Sequence, residues 1–303
     1  MRAYSLNAMV CGCIDIGSNT TRLLVAEPAD GRLRELLRQR AFTRIAKDLR
    51  RDDTIPSKKI AEVAEVVATQ VRLARELGTE TIRAVATAAI REAANQDEFT
   101  RAIAERAGVA VEVLSDEEEA RLAFVGATSA REHPPDGDIA VIDVGGSSSE
   151  IAIGTIADGV RASSSFRIGS GFLADSYLHG DPPTIEQLQQ VRAHVGGVFE
   201  GFSLPTPELA VAVGGSSTSL RRLVGGVLDH ETLERGLRIL ATTPSDEVAR
   251  AFEMEPERVR LLPAGMLVLE EISDRLERPL LIGRGGLREG VILEMLMAAG
   301  WGA

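Results

Sequence analysis

Cys13-Ile14-Asp15-Ile16-Gly17-Ser18-Asn19-Thr20-Thr21-Arg22 and, in the other half of the chain, Ile142-Asp143-Val144-Gly145-Gly146-Ser147-Ser148-Ser149-Glu150 share one pattern. Each reads as a buried strand ending in Asp, a tight turn on Gly and small polar residues, and a second strand. A turn of this kind presents bare backbone N–H groups that a phosphate can approach closely. The carboxylates of Asp15 and Asp143 cannot take an anion directly; they suit a hydrated Mg²⁺ that bridges them to phosphate oxygens. One such turn alone is explained as well by a plain hairpin. Two are not, because each Asp is followed at the same offset by an Asp-Gly pair, Asp30-Gly31 and Asp158-Gly159, that reads as the next hairpin.

A third candidate lies in Ser115-Asp116-Glu117-Glu118-Glu119-Ala120-Arg121-Leu122. Acids in a first helical turn are favoured by the helix dipole, and most such runs are a solvated face. Spacing separates the glutamates. With Ser115 as N-cap, Glu118 completes a capping box. Glu119 shares a stripe with Leu122, Ala123 and Gly126, the inward face of the same helix, where a partly desolvated carboxylate can orient and deprotonate a water.

The elements that must position these residues alternate strand and helix. Residues 33–45 read as a strand, 57–77 as a helix closed by Gly78, 81–86 and 109–114 as strands, and 172–179 and 184–202 as helices, the second capped by a Thr184-x-x-Gln187 box. Residues 209–213 read as a strand, 231–253 and 259–276 as helices, and 280–282 as a strand before a closing helix to Met297. Thr128 to Asp138, with Pro134-Pro135-Asp136-Gly137, is the linker candidate. The domains are therefore expected at 1–127 and 128–303, with a closing C-terminal helix that is able to cross back to the first. Three further segments suit anions. Arg91 stands beside a helix start, as an anion ligand or a solvated residue. Gly214-Gly215-Ser216 opens a helix, for a phosphate or for close packing of strand and helix. Arg284 and Arg288 flank a glycine turn.

At 303 residues the chain exceeds what one core usually supports. A 44% hydrophobic content with 4% aromatic residues describes a water-soluble fold, and no apolar run approaches the roughly 18 residues of a membrane span. The N-terminus lacks a secretory pattern, so a cytoplasmic protein is expected. A net charge of −11 argues against nucleic-acid binding through the whole surface; an anionic ligand must be held locally. Cys11 and Cys13, the only cysteines, lack zinc-site spacing and read as buried thiols.

Asp15-Ile-Gly-Ser-Asn-Thr20, Ser115 to Leu122, Asp143 to Glu150, Val213-Gly-Gly-Ser-Ser-Thr218 and Gly286-Leu-Arg-Glu-Gly290 resemble, in order and approximate spacing, the exopolyphosphatase and guanosine pentaphosphate phosphatase family. The resemblance covers nearly the whole chain. It implies an α/β fold of the actin-like ATPase superfamily: two duplicated ribonuclease-H-like domains with an interdomain cleft. It further implies that Gly17, Ser18 and Asn19, and Gly145, Gly146, Ser147 and Ser148, cradle phosphates; residue chemistry adds Thr20, Arg22, Arg91, Gly214, Gly215, Ser216 and Arg288 as candidate phosphate ligands. Glu119 matches the catalytic base. Asp143 and a supporting Glu150 match a Mg²⁺ site, which Asp15 suits by its own place at the end of the first strand. Ser147 departs from the family's usual third glycine.

The activity implied is Mg²⁺-dependent hydrolysis of the terminal phosphoanhydride of inorganic polyphosphate, by a homodimer. Short chains would be favoured, because longer members carry further helical domains. Guanosine pentaphosphate 5′-phosphohydrolysis is the near alternative. An ATP-dependent kinase of the same fold would need an acceptor site, and a catalytically silent sensor would release no phosphate at all.

Overall fold

The computed structural model describes residues 9–49, 52–129 and 135–301. They divide into two units, one formed by 1–130 with 287–303 and the other by 131–286.

In unit 1 the apolar strand β1 (Cys11–Ile16) starts an antiparallel meander with β2 (Thr20–Ala29) and β3 (Arg32–Phe42). Asp30 and Gly31 join β2 to β3 with φ of 50° and 76°, as a mirror-image two-residue turn demands. Then come α1 (Ile45–Asp48), α2 (Ser57–Glu76), β4 (Thr81–Ala86), α3 (Ala88–Arg91), α4 (Gln96–Ala107), β5 (Val111–Val113) and α5 (Asp116–Ser129). The sheet order is β3-β2-β1-β4-β5, with β4 parallel to β1 and β5 parallel to β4. Strand alternation sorts β1 between two cores. Ile14 and Ile16 pack with Val63, Val67 and Val71 of α2 and Phe99 and Ile103 of α4; each fully buried aliphatic side chain is worth about 1.5–3 kcal/mol. Cys11 and Cys13 turn to the other face, with Leu24, Leu122 and Val291. Burial pushes the Cys11 thiol up to about 11 and that of Cys13 well above its usual value, leaving both inert.

Unit 2 repeats the plan. Its meander is β6 (Ile139–Val144), β7 (Ser149–Thr155) and β8 (Gly159–Phe166), followed by α6 (Ser170–Tyr177), α7 (Ile185–Val198), β9 (Leu209–Val213) and α8 (Gly214–Val224). β10 (Val227–Leu228), α9 (His230–Thr242), α10 (Ser245–Ala251), α11 (Pro256–Val259), α12 (Leu262–Leu276) and β11 (Leu280–Ile282) complete it. The sheet order is β10-β11-β9-β6-β7-β8. Apart from the antiparallel edge strand β10, this is the order of unit 1: third, second and first strands of the meander, then two parallel ones. Both units therefore have ribonuclease-H-type topology. α12 is apolar almost all round because α6, α7, α8 and α9 surround it.

The chain ends on α13 (Leu287–Ala298), which packs on α5 and β1 and so belongs to unit 1 rather than to the half in which it is encoded. Gly290 permits this contact. A Cβ there would lie 2.8 Å from the carbonyl carbon of Leu122 and closer still to its oxygen.

Several local expectations are corrected. β3 stops at Phe42, and Ile45 starts α1. Thr128 and Ser129 are the last turn of α5, not linker; residues 130–134 of the expected linker lie outside the described residues. The helix expected over 231–253 is two helices, α9 and α10, separated at Pro244, which cannot continue a helix through its missing N–H. The helix expected from Val259 begins at Leu262. The Thr184 and Gln187 capping box forms on both sides.

Candidate active site

In a sheet of parallel strands the carboxyl ends present loops and helix starts to a ligand. In unit 1 the ends of β1, β4 and β5 lie side by side: Thr87 N donates to Ile16 O at 3.3 Å, and Leu114 N to Ala86 O at 3.0 Å. The Asp15 turn, the Thr87–Arg91 segment and the start of α5 thus share one edge.

Gly17 N donates to Thr20 O at 3.0 Å and closes the first turn, whose outer carbonyls are anchored. Asn19 O accepts from Thr43 N and Arg44 N, and Ser18 O from Ala46 N. Across the strands, Asp15 is the direct partner of Arg22, and Arg22 of Arg40. Arg22 Nε donates to Thr20 Oγ1 at 2.9 Å, drawing the guanidinium toward the turn. From the far end of the chain, α13 brings Arg288 into the same field. Burial holds this guanidinium below its usual value, with Glu289 and Asp15 opposing and Arg22 and Arg38 adding to the effect. Burial likewise pushes the Asp15 carboxyl up, against the pull of Arg22 and Arg288. Asp15 therefore sits among arginines, a setting that orients guanidinium groups.

Glu119 is 8% exposed, on the buried stripe of α5 with Leu122, Ala123 and Gly126. Arg91 Nη1 bridges the Leu114 carbonyl at 2.7 Å and Glu119 Oε2 at 3.1 Å, while its Nη2 binds Asp116. Arg91 is thus neither a solvated helix residue nor simply an anion ligand; it fixes the Glu119 carboxylate to the end of β5. Ser115 Oγ accepts from Glu118 N at 3.2 Å as expected, but the Glu118 carboxylate is taken by Arg121, at 2.8 and 2.6 Å. The reciprocal half of the capping box gives way to an ion pair.

That ion pair belongs to a network. Glu294 of α13 receives both Arg83 of β4 and Arg121 of α5, and Arg83 also binds Glu112 of β5. Partial burial pushes the Glu294 carboxyl up, but the two arginines outweigh it and hold the group below its usual value of 4.5. A carboxyl depressed on folding stabilises the fold above its unfolded value and loses that contribution as pH falls through the folded one. Unit 1 should accordingly weaken as pH drops below about 4.5, and Glu294→Gln should flatten that limb in acid unfolding monitored by circular dichroism. Partial exposure keeps the effect modest.

In unit 2 the turn after β6 is held from beneath. Gly145 N donates to Ser148 O at 2.9 Å. Ser170 N donates to Gly145 O, and Gly171 N and Phe172 N to Gly146 O, all at 2.9 Å. In a trans peptide the carbonyl and the next N–H point oppositely. Since the carbonyls of Gly145 and Gly146 face the start of α6, the amides of Gly146 and Ser147 face the other way, as an anion cradle requires. This packing needs glycine below the turn: a Cβ on Gly169 would approach the Gly146 backbone to 2.5 Å. Ser147 does not have the positive φ that would demand glycine, which explains how serine is accommodated there.

Asp143 is the direct cross-strand partner of Glu150, and Glu150 of Ser165, whose hydroxyl lies 3.2 Å from Glu150 Oε1. The same three positions thus read Asp–Arg–Arg in unit 1 and Asp–Glu–Ser in unit 2. Adjacent carboxylates suit a cation, and two carboxylates with waters and phosphate oxygens are a usual Mg²⁺ ligand set. Gly214, at φ 82°, opens α8 against Asp143; a Cβ there would lie 3.1 Å from Asp143 Cγ and closer still to Oδ1. Gly214 therefore allows the close approach of strand and helix left open above. Ser216 is 1% exposed and bonds to Ser170 Oγ at 3.3 Å, inside the α6–α8 junction.

Sequence reasoning passed over Arg40, Ser165 and Ser170. Ser170 carried a signal in its position after Gly169; the other two depend on register. No group of three or more Asp, Glu, His or Cys side chains suited to a metal occurs among the described residues, and none of the described helices is long and apolar enough to cross a membrane.

Two units of one topology, each carrying a Gly/Ser turn with a charged row at the carboxyl ends of its parallel strands, define a phosphoryl-handling enzyme of the duplicated ribonuclease-H type. The model of the Ppx/GppA phosphatase family matches residues 24–299, and the chain belongs to that family. It is 29% identical to Exopolyphosphatase 2 of Mycobacterium tuberculosis strain H37Rv over 289 residues, 87% of this chain and 89% of that protein. It is 25% identical over 296 residues to the guanosine-5′-triphosphate,3′-diphosphate pyrophosphatase of Vibrio parahaemolyticus, covering 93% of this chain and 58% of that one. The crystal structure of the Aquifex aeolicus member of the Ppx/GppA family matches with a TM-score of 0.81 at 28% identity, over 96% of this chain and 99% of that chain.

Proposed function

We propose that this chain is an exopolyphosphatase that hydrolyses the terminal phosphoanhydride of inorganic polyphosphate. The observation that carries the proposal is the buried Glu119 carboxylate held by Arg91 at the edge that also bears the first turn. A lone, oriented carboxylate is suited to aligning a water and taking its proton. Phosphoryl transfer has a loose, anionic transition state, so the remaining protein contribution is alignment and charge stabilisation. In unit 1 the first turn (Gly17, Ser18, Asn19 and Thr20), Arg22 and Arg288 would serve this role; in unit 2 the Gly146 and Ser147 amides, framed by Gly145 and Ser148, would do so. Asp143 and Glu150 would hold Mg²⁺, which when bound neutralises phosphate charge; Asp15 instead orients the arginines beside it. Replacement of Glu150 by Gln should raise the Mg²⁺ concentration needed for half-maximal rate by about tenfold, the loss expected for one charge-assisted ligand contact. An unchanged Mg²⁺ titration would remove Glu150 from the site. Cytoplasmic location, expected from the N-terminal sequence, and pairing into a homodimer, implied by the family resemblance, belong to the same proposal.

The second reading is guanosine pentaphosphate as substrate, supported by the 25% identity to the guanosine-5′-triphosphate,3′-diphosphate pyrophosphatase of Vibrio parahaemolyticus. Orthophosphate release measured side by side on polyphosphate, guanosine pentaphosphate and ATP tests the proposal. Release from polyphosphate at the highest kcat/KM supports it, and release from guanosine pentaphosphate alone transfers it to the second reading. Absence of release from all three overturns both.

A further inference from the structure

We infer that Arg38 is a positioning residue for the phosphate grip of unit 1: through its ion pair with Glu289 it fixes the first turn of α13, and with that turn Arg288. This rests on the proposed polyphosphate substrate, for which Arg288 serves as a ligand. Direct cross-strand partners project from the same face of a sheet. Cys13, Leu24 and Arg38 form one such row across β1, β2 and β3. Cys13 and Leu24 share a core with Leu287 and Val291, so this is the face on which α13 lies. Two residues along, on the same face, runs the row of Asp15, Arg22 and Arg40. Arg38 therefore stands next to both the helix and the charged row. In unit 2 the equivalent row is Val141, Ala152 and Ser163; the long cation occurs in the unit that takes α13.

The body of α13 and its first turn are held by different means. Leu287, Val291, Ile292 and Leu296 bury one side of the helix, and Gly290 closes against Leu122. The first turn follows Gly283-Arg284-Gly285-Gly286, whose glycines impose little on the backbone that enters the helix. Arg288 lies in the field of Asp15, Arg22, Arg38 and Glu289, but it makes no hydrogen bond of its own among the described residues. Its guanidinium is thus open to a ligand and is placed by the turn that carries it. A tie from that turn to the sheet lies one residue on. Glu289 Oε1 accepts from Arg38 Nη2 at 2.9 Å, and the Glu289 side chain is only 14% exposed, so water screens the pair less than it screens a surface one. Arg38 Nε donates to Glu35 Oε2 at 2.8 Å within its own strand, which orients the planar fork toward α13.

A loosened fold would also weaken binding, so the test is a double-mutant cycle read against Tm. Arg38→Gln, Arg288→Gln and the double variant are compared with wild type, by equilibrium binding of inorganic polyphosphate without Mg²⁺ and by turnover with it. In the wild-type background Arg38→Gln should raise Kd and KM about fivefold, the upper end for loss of a partly exposed ion pair, with kcat within about twofold. Its Tm should stay within about 4 °C of wild type. In the Arg288→Gln background the same change should shift Kd and KM by less than about twofold, because the group it positions is gone. Glu35→Gln, whose amide oxygen can still accept from Arg38 and which leaves the Glu289 pair intact, should match wild type. A fivefold loss that persists in the Arg288→Gln background would overturn the inference, since Arg38 would then act without Arg288. Unchanged Kd and KM in Arg38→Gln would also overturn it, as would a loss that follows a larger fall in Tm. If the wild-type chain binds polyphosphate but releases no phosphate, the proposed activity fails and the binding cycle alone decides the role of Arg38; if it binds none, both fall.

Discussion

Glu119→Gln should cut orthophosphate release from polyphosphate by roughly 10²- to 10⁴-fold, the usual contribution of a general base, while binding of polyphosphate persists. The substitution is conservative in shape. A glutamine can still accept from Arg91 through its amide oxygen, so the anchoring of α5 to the Leu114 carbonyl through Arg91 survives. What disappears is the proton acceptor. Removing Arg91 instead would leave a carboxylate that is 8% exposed without its guanidinium, and the resulting loss would mix orientation with desolvation. Glu119→Gln is therefore the cleaner experiment: kcat should collapse and KM should change little. Activity within a few-fold of wild type would show that another group activates the water.

The second large effect concerns folding. Gly290→Ala places a methyl group against the Leu122 carbonyl, backbone against helix backbone, where no side chain can swing away. Overpacking in a rigid contact costs about 1–3 kcal/mol and occasionally more; the upper end is expected here, because α13 can relieve the clash only by leaving α5. For a unit of this size about 3 kcal/mol corresponds to a Tm lower by roughly 6–12 °C. The same movement would carry Arg288 away from Arg22 and Asp15, and it would disturb α5 one turn from Glu119. Activity should consequently fall at temperatures where the variant is still folded. A Tm within one degree of wild type would contradict the close docking of α13 on α5.

The parts of the molecule legible in sequence are those written in local chemistry. Asp at a strand end followed by Gly and Ser marks both turns, because small residues leave the backbone open there. Glu119 is separable from Glu117 and Glu118 because helical spacing places it with Leu122 and Ala123. The Thr184 and Gln187 box is legible because both partners lie within one turn. The failures are of another kind. Glu118 has the spacing for a reciprocal cap, yet Arg121, one turn on, offers a charged partner that outcompetes a backbone N–H. The break at Pro244 was signalled by the proline itself and masked by the apolar period on either side of it.

Arg40 illustrates a deeper limit. Counting back from the two-residue turn at Asp30-Gly31 pairs Arg22 with Gln39 and turns Arg40 to the opposite face. The bulge at Val25/Ala26, where Leu36 is the additional residue, shifts the register by one and brings Arg40 opposite Arg22. Nothing in the local sequence announces that bulge. The return of α13 to unit 1 is likewise a matter of long-range packing, recorded only in a glycine whose reason is a carbonyl far away in sequence.

The account depends most on water, not another substrate, accepting the phosphoryl group: its oxygen attacks the terminal phosphorus as the bridging P–O bond breaks and the shortened chain leaves. Its most direct test is turnover of inorganic polyphosphate by the purified chain with Mg²⁺ in ¹⁸O-labelled water, with mass analysis of the orthophosphate formed. The account predicts orthophosphate released without any acceptor and carrying one solvent oxygen per cleavage, and the loss of that product in Glu119→Gln. Release that requires an added acceptor, or no labelled orthophosphate at all, would contradict it.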